Sequence, residues 1–73
     1  MWLKKGMTDR LLLANNLTRE GLSRTFGCSV SELNLVLDGK METGLELEYL
    51  LIRAFGIKAL KDMIDWEKTG ESN

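Results

Sequence analysis

The sequence predicts an all-α domain of five short helices, and three observations carry that prediction. Apolar residues recur at three- and four-residue spacing in successive segments, while the strict alternation of a half-buried strand is never sustained. Two Ser/Thr-x-x-Glu capping boxes, Ser29-Val30-Ser31-Glu32 and Thr43-Gly44-Leu45-Glu46, mark helix starts. Asn16, Gly27, Gly39 and Gly56 stand where apolar periods stop, and these residue types tolerate the left-handed backbone that closes a helix.

The first helix reads as residues 7–15, with Thr8 or Asp9 as cap and Leu11, Leu12 and Ala14 toward a core. Asn15-Asn16 stops it. The second starts at Thr18, whose hydroxyl can accept from an orphaned backbone N–H. Leu17 and Leu22 have hydrophobic-staple spacing around that cap. Leu22 and Phe26 pair at i,i+4 before Gly27 closes the helix. Gly21 inside it either weakens the helix or permits a close approach.

The third helix opens at the Ser29 box, with Cys28 and Leu33 as its staple, and runs to Asp38 before Gly39. The fourth opens at the Thr43 box and carries the stripe Leu47, Leu50, Leu51 and Ala54 up to Gly56. Ile57 is expected to turn back onto the core. The fifth spans residues 58–66, with Leu60, Met63 and Ile64 on one face. Residues 67–73 read as a polar, frayed tail.

At 73 residues the chain makes one domain, 1–73, with its folded core over about 8–66. A domain this size buries only about 60% of the surface its unfolded chain exposes, which leaves little room for a deep cleft. The absence of His excludes His-based triads and His zinc sites, and one cysteine cannot build a structural zinc site. No lysine follows Gly44 as a phosphate-cradling loop requires. Glu46 and Glu48 lie on different faces of one helix. The expectation is therefore a protein that is not an enzyme and takes no cofactor or metal. The lone Cys28 reads as a small apolar residue rather than a reactive thiol. Met-Trp-Leu-Lys-Lys-Gly lacks the apolar run of a secretory signal, so the expected location is cytoplasmic.

The net charge of −1 is unevenly spread. Residues 1–40 hold six Lys/Arg against four acids, and residues 41–73 hold four against seven. The first half thus has the sign of a nucleic-acid face.

Two short helices joined by Phe26-Gly27-Cys28-Ser29 make a helix-turn-helix over residues 18–40. In that motif the second helix lies in the major groove and presents its N-terminal side chains to base edges. The stretch Leu17-Thr18-Arg19-Glu20-Gly21-Leu22-Ser23-Arg24-Thr25-Phe26-Gly27-Cys28-Ser29, continued through Leu33, Val36 and Asp38-Gly39-Lys40, resembles the lambda-repressor-like (Cro, XRE-type) helix-turn-helix family. That family reads Leu-Thr-Gln-Glu-x-Leu-Ala, then Leu-Gly-Val-Ser, then an Ile-rich helix ending Asn-Gly-Lys. Ala54-Phe55-Gly56-Ile57 is similar to its Ala-Leu-Gly-Val close.

The resemblance covers residues 8–66 and implies a compact five-helix fold, operator binding and a homodimer. Carried over by position, it implies base contacts from Val30, Ser31 and Asn34, with Leu35 at the edge, and phosphate contacts from Thr18, Arg19 and Lys40. The chain departs from the family at Asp38, where Asn is usual, at Leu35, where a basic or polar residue is common, and in having no Arg on its third helix. Two functions follow as expectations. One is a sequence-specific, double-stranded-DNA-binding transcriptional regulator of the phage or mobile-element kind. The other is a protein–protein module (an adaptor, anti-repressor or dimerisation domain) that has lost operator reading and docks through Leu35, Tyr49, Ile52 and Trp66. The N-terminal Trp2-Leu3-Lys4-Lys5 reads equally as a phosphate-contacting arm or a packing tail.

Overall fold

The computed structural model describes residues 1–70 and is all-α. Six helices follow in order among the described residues: α1 (Met7–Ala14), α2 (Arg19–Phe26), α3 (Val30–Leu37), α4 (Leu45–Phe55), α5 (Ile57–Met63) and α6 (Trp66–Gly70). None is long and apolar enough to cross a membrane.

The first three helices end alike. Past each last turn, one residue takes a left-handed backbone: Asn16 at φ 55°, Gly27 at 71° and Gly39 at 73°. Its N–H and the next N–H then bond back to the helix. The pairs are Asn16 to Leu13 O with Leu17 to Leu12 O, Gly27 to Arg24 O with Cys28 to Ser23 O, and Gly39 to Val36 O with Lys40 to Leu35 O. This is the Schellman pattern, which satisfies carbonyls a helix end leaves open. A Cβ on Gly39 would also stand 2.9 Å from the Leu3 carbonyl oxygen, so backbone angle and space both demand glycine there.

The starts of α2 and α3 follow the sequence expectation. Thr18 Oγ1 accepts from the Gly21 N–H at 3.0 Å, and Ser29 Oγ accepts from the Glu32 N–H at 3.1 Å. Gly21 permits the close approach: a Cβ there would lie 3.3 Å from Thr18 Oγ1.

Four sequence expectations are overturned. Thr8 is no cap; it is buried inside α1, which starts after Gly6. The Thr43 box does not form, because α4 starts after Gly44 without a side-chain cap. Thr43 is instead drawn inward, its N–H donating to the Met1 carbonyl at 2.7 Å while its hydroxyl is left buried without a partner. Ile57 does not fold onto the core; it opens α5 and is half exposed. The fifth helix stops at Met63, and α6 follows where part of a frayed tail was expected; residues 71–73 of that tail lie outside the described residues.

The N-terminal segment causes the last break. Leu3 and Ile64 form an antiparallel bridge, with the Lys4 N–H donating to Met63 O at 2.7 Å and the Asp65 N–H to Trp2 O at 2.8 Å. Ile64 is thereby held extended. Asp65 restarts the helix by accepting the Lys68 N–H on its carboxylate at 3.1 Å. The Trp2 N–H donates to Thr69 Oγ1, and the Lys68 ammonium sits 3.8 Å over the Trp2 ring. Trp2-Leu3-Lys4 is thus a packing segment.

The core comprises Leu12, Leu22, Leu33, Val36, Leu37, Leu51, Leu60, Met63 and Ile64, together with Leu3. Leu47 is partly buried against it and Leu50 half-buried, whereas Ala14 and Ala54 are exposed. The core wall of α3 thereby fixes which of its side chains face outward.

Candidate nucleic-acid interface

A helix repeats every 3.6 residues, so burying Leu33, Val36 and Leu37 turns Ser31, Asn34, Leu35 and Asp38 outward as one stripe. Ser31 is exposed, Leu35 is 45% exposed, and Val30, Asn34 and Asp38 are half-buried. The turn that aims this stripe is short and held at both ends, by the Gly27 closure and the Ser29 cap.

The strongest polar feature beside it is one guanidinium. Arg19, first residue of α2, donates from Nε and one terminal nitrogen to both Asp9 oxygens, each at 2.9 Å. That same nitrogen donates to Asp38 Oδ1 at 2.9 Å, and the other donates to Asn34 Oδ1 at 3.0 Å. Four of the five N–H donors of an arginine are therefore used. One side chain ties α1, the start of α2, the middle of α3 and its C-cap. The two carboxylates hold the Arg19 proton more firmly than usual, Asp9 contributing most. In return the Arg19 hydrogen bond holds the Asp38 carboxyl below the usual range, helped by the charges of Arg19, Lys5 and Lys40.

Arg19 thus lies beside the outward stripe with little left to offer a phosphate. Asn34 is oriented by it. Arginine has no acceptor, so the Asn34 atom facing it is the oxygen, and the amide –NH2 points away as a donor. Asp38 is paired within the domain. Thr18 sits exposed at the start of α2 with its hydroxyl proton still available, and Lys40 is exposed just past α3. Among the described residues Lys5 and Lys40 form no ion pair, and both lie near enough to act on Asp38. The sequence reading offered Asp9 as a helix cap and Lys5 as part of an N-terminal arm or tail, not as neighbours of Arg19 and Asp38. Asp9 precedes Arg19 by ten residues, a spacing no local pattern marks.

The other expected surface is dispersed over three helices. Leu35 is on α3, Tyr49 and Ile52 on α4, and Trp66 on α6. Tyr49 and Trp66 are exposed, but Ile52 packs partly against the core. Cys28 is half-buried in the turn, and burial, with the Glu32 charge, pushes its thiol up, which makes it a poor nucleophile. Among the described residues no three potential metal-ligating side chains converge.

No family model, curated protein or solved structure matches this chain.

Proposed function

We propose that the chain is a sequence-specific, double-stranded-DNA-binding regulator with a lambda-repressor-like arrangement, acting as a homodimer and reading the major groove with α3. The observation that carries this reading is the outward stripe on a braced helix-turn-helix, with the unpaired cations Lys40 and Lys5 nearby. Ser31 would bond a base edge, and Val30 and Leu35 would pack on thymine methyl groups. Asn34, with its oxygen already held, would donate to a purine N7 or to O6 of guanine or O4 of thymine. The two-bond contact to adenine would first require Arg19 to let go. Thr18 and Lys40 would position the domain on phosphates. Arg19, expected from the resemblance to touch phosphate, has the stronger claim as the brace that aims Asn34.

The test is selection of duplexes from a randomised DNA pool, followed by salt-titrated binding. Ser31→Ala and Asn34→Ala are expected to weaken the selected site by about tenfold while leaving random DNA unchanged. Lys40→Ala should weaken both alike and shallow the salt slope by about one. No binding at low salt would overturn the proposal and leave a protein–protein module, to which the half-exposed Leu35 is suited.

A further inference from the structure

A furrow runs beside α4, on a different side of α3 from the reading stripe. One part of it, about 340 Å³, has Phe26, Val36 and Leu47 among its walls, with Glu32 and Glu46 on its lining. No basic residue lines it. It shares Phe26 and Leu50 with a second depression of about 330 Å³ that reaches Arg53. From Glu46 to Arg53 along α4 is about 10 Å, two helical turns. The first volume alone is at the lower end of what small-molecule pockets occupy, about 300 Å³, and it is open. A segment laid along both depressions uses the space better than a compact ligand does.

The charges choose the occupant. Glu42, also on the lining, is engaged by the Met1 ammonium at 3.6 Å, whereas Glu32 and Glu46 form no ion pair among the described residues. Arg53 makes the far end of the furrow cationic, so the occupant's cations belong at the Glu32–Glu46 end, where an apolar floor under two free carboxylates repels a polyanion and attracts Lys or Arg beside apolar side chains. Along α3, Glu32 and Val36 lie roughly 100° round from Ser31 and Leu35, so this side stays open when the stripe is occupied.

We infer that the furrow between the helix-turn-helix and α4 binds a cationic, amphipathic peptide segment of a partner protein. The segment's apolar side chains sit on Phe26, Leu47 and Leu50, and its Lys or Arg residues meet Glu32 and Glu46. This goes beyond the DNA reading and stands or falls separately from it.

The experiment selects a displayed library of random short peptides on the full chain. The enriched peptides are then titrated into isotope-labelled protein. Expected are sequences pairing Lys or Arg with large apolar residues, and amide shifts centred on Cys28, Glu32, Glu46 and Leu47. Bound peptide should also slow alkylation of Cys28, which lines the furrow. Glu32→Gln combined with Glu46→Gln, both exposed positions, should weaken binding by about tenfold and leave the fold and DNA binding in place. No enrichment, an acidic consensus, shifts centred elsewhere, or unchanged affinity in the double variant would each overturn the inference. DNA binding measured on the same samples reports on the other proposal independently.

Discussion

The two halves of this domain close their helices by different means. From α1 to α3, each end is finished within a few residues by a left-handed Asn or Gly and a pair of backbone bonds. From α4 to α6, Gly56 divides α4 from α5 locally, but the start of α4 and the break between α5 and α6 are decided by the N-terminal segment, which takes Thr43 away from a cap, holds Ile64 extended and engages Thr69. The front half therefore has helix ends specified by local geometry. The rear half gains its shape only when the chain has closed on itself, across separations of up to 67 residues.

Removing the closing segment's anchor should break this contrast most severely. Leu3 is 2% exposed, and Leu3→Ala should cost about 3 kcal/mol in denaturant unfolding. Hydrogen exchange should show α5 and α6 opening before α2 and α3. Protection lost equally in all six helices would mean that the halves are not distinct.

A pair of glycines sharpens it further. Gly27 and Gly39 share nearly the same φ, 71° and 73°, but only Gly39 faces another segment's backbone, the Leu3 carbonyl. Gly27→Ala should cost about 1 kcal/mol, the strain of a left-handed alanine alone. Gly39→Ala should cost about 2 kcal/mol or more, because the Leu3 carbonyl cannot yield without disturbing the bridge to Ile64. Equal losses would show that the contact with Leu3 carries no energy.

The smallest effect concerns the brace within the front half. Asp38 has a lowered pKa when folded, so its pairing stabilises the domain above the ordinary carboxylate range, near pH 4, and that stabilisation is lost as pH falls through the lowered value. Asp38→Asn retains an acceptor for Arg19 but not the charge. The variant should be less stable than the parent at neutral pH by about 1 kcal/mol, with the difference vanishing in acid. A difference independent of pH would place the role of Asp38 in hydrogen bonding rather than in charge.

Read from sequence, the α2–turn–α3 unit was legible almost to the residue, because its signals are local: Thr18 and Ser29 as caps, Gly27 and Gly39 as closures. The outward placement of Ser31, Asn34 and Leu35 came from the family resemblance, carried over by position. What α3 could offer along that stripe was not legible. Arg19, Asp38 and Asn34 were each visible as separate polar residues, yet their union depends on Asp9 from another helix. Thr43 had a helix-start signal as good as that of Ser29 and failed because Met1 competes for it.

The sequence by itself determined that the chain is all-α and where its first three helices end. Those follow from backbone conformational preference and apolar spacing, which act over a few residues. Only the tertiary structure decided that Trp2-Leu3-Lys4 is packed, that α5 breaks at Ile64, and that Arg19 is held by two carboxylates beside the outward stripe of α3. Those depend on which distant groups meet when the core closes, and a hydrogen bond or ion pair has no signature at either residue until its partner arrives.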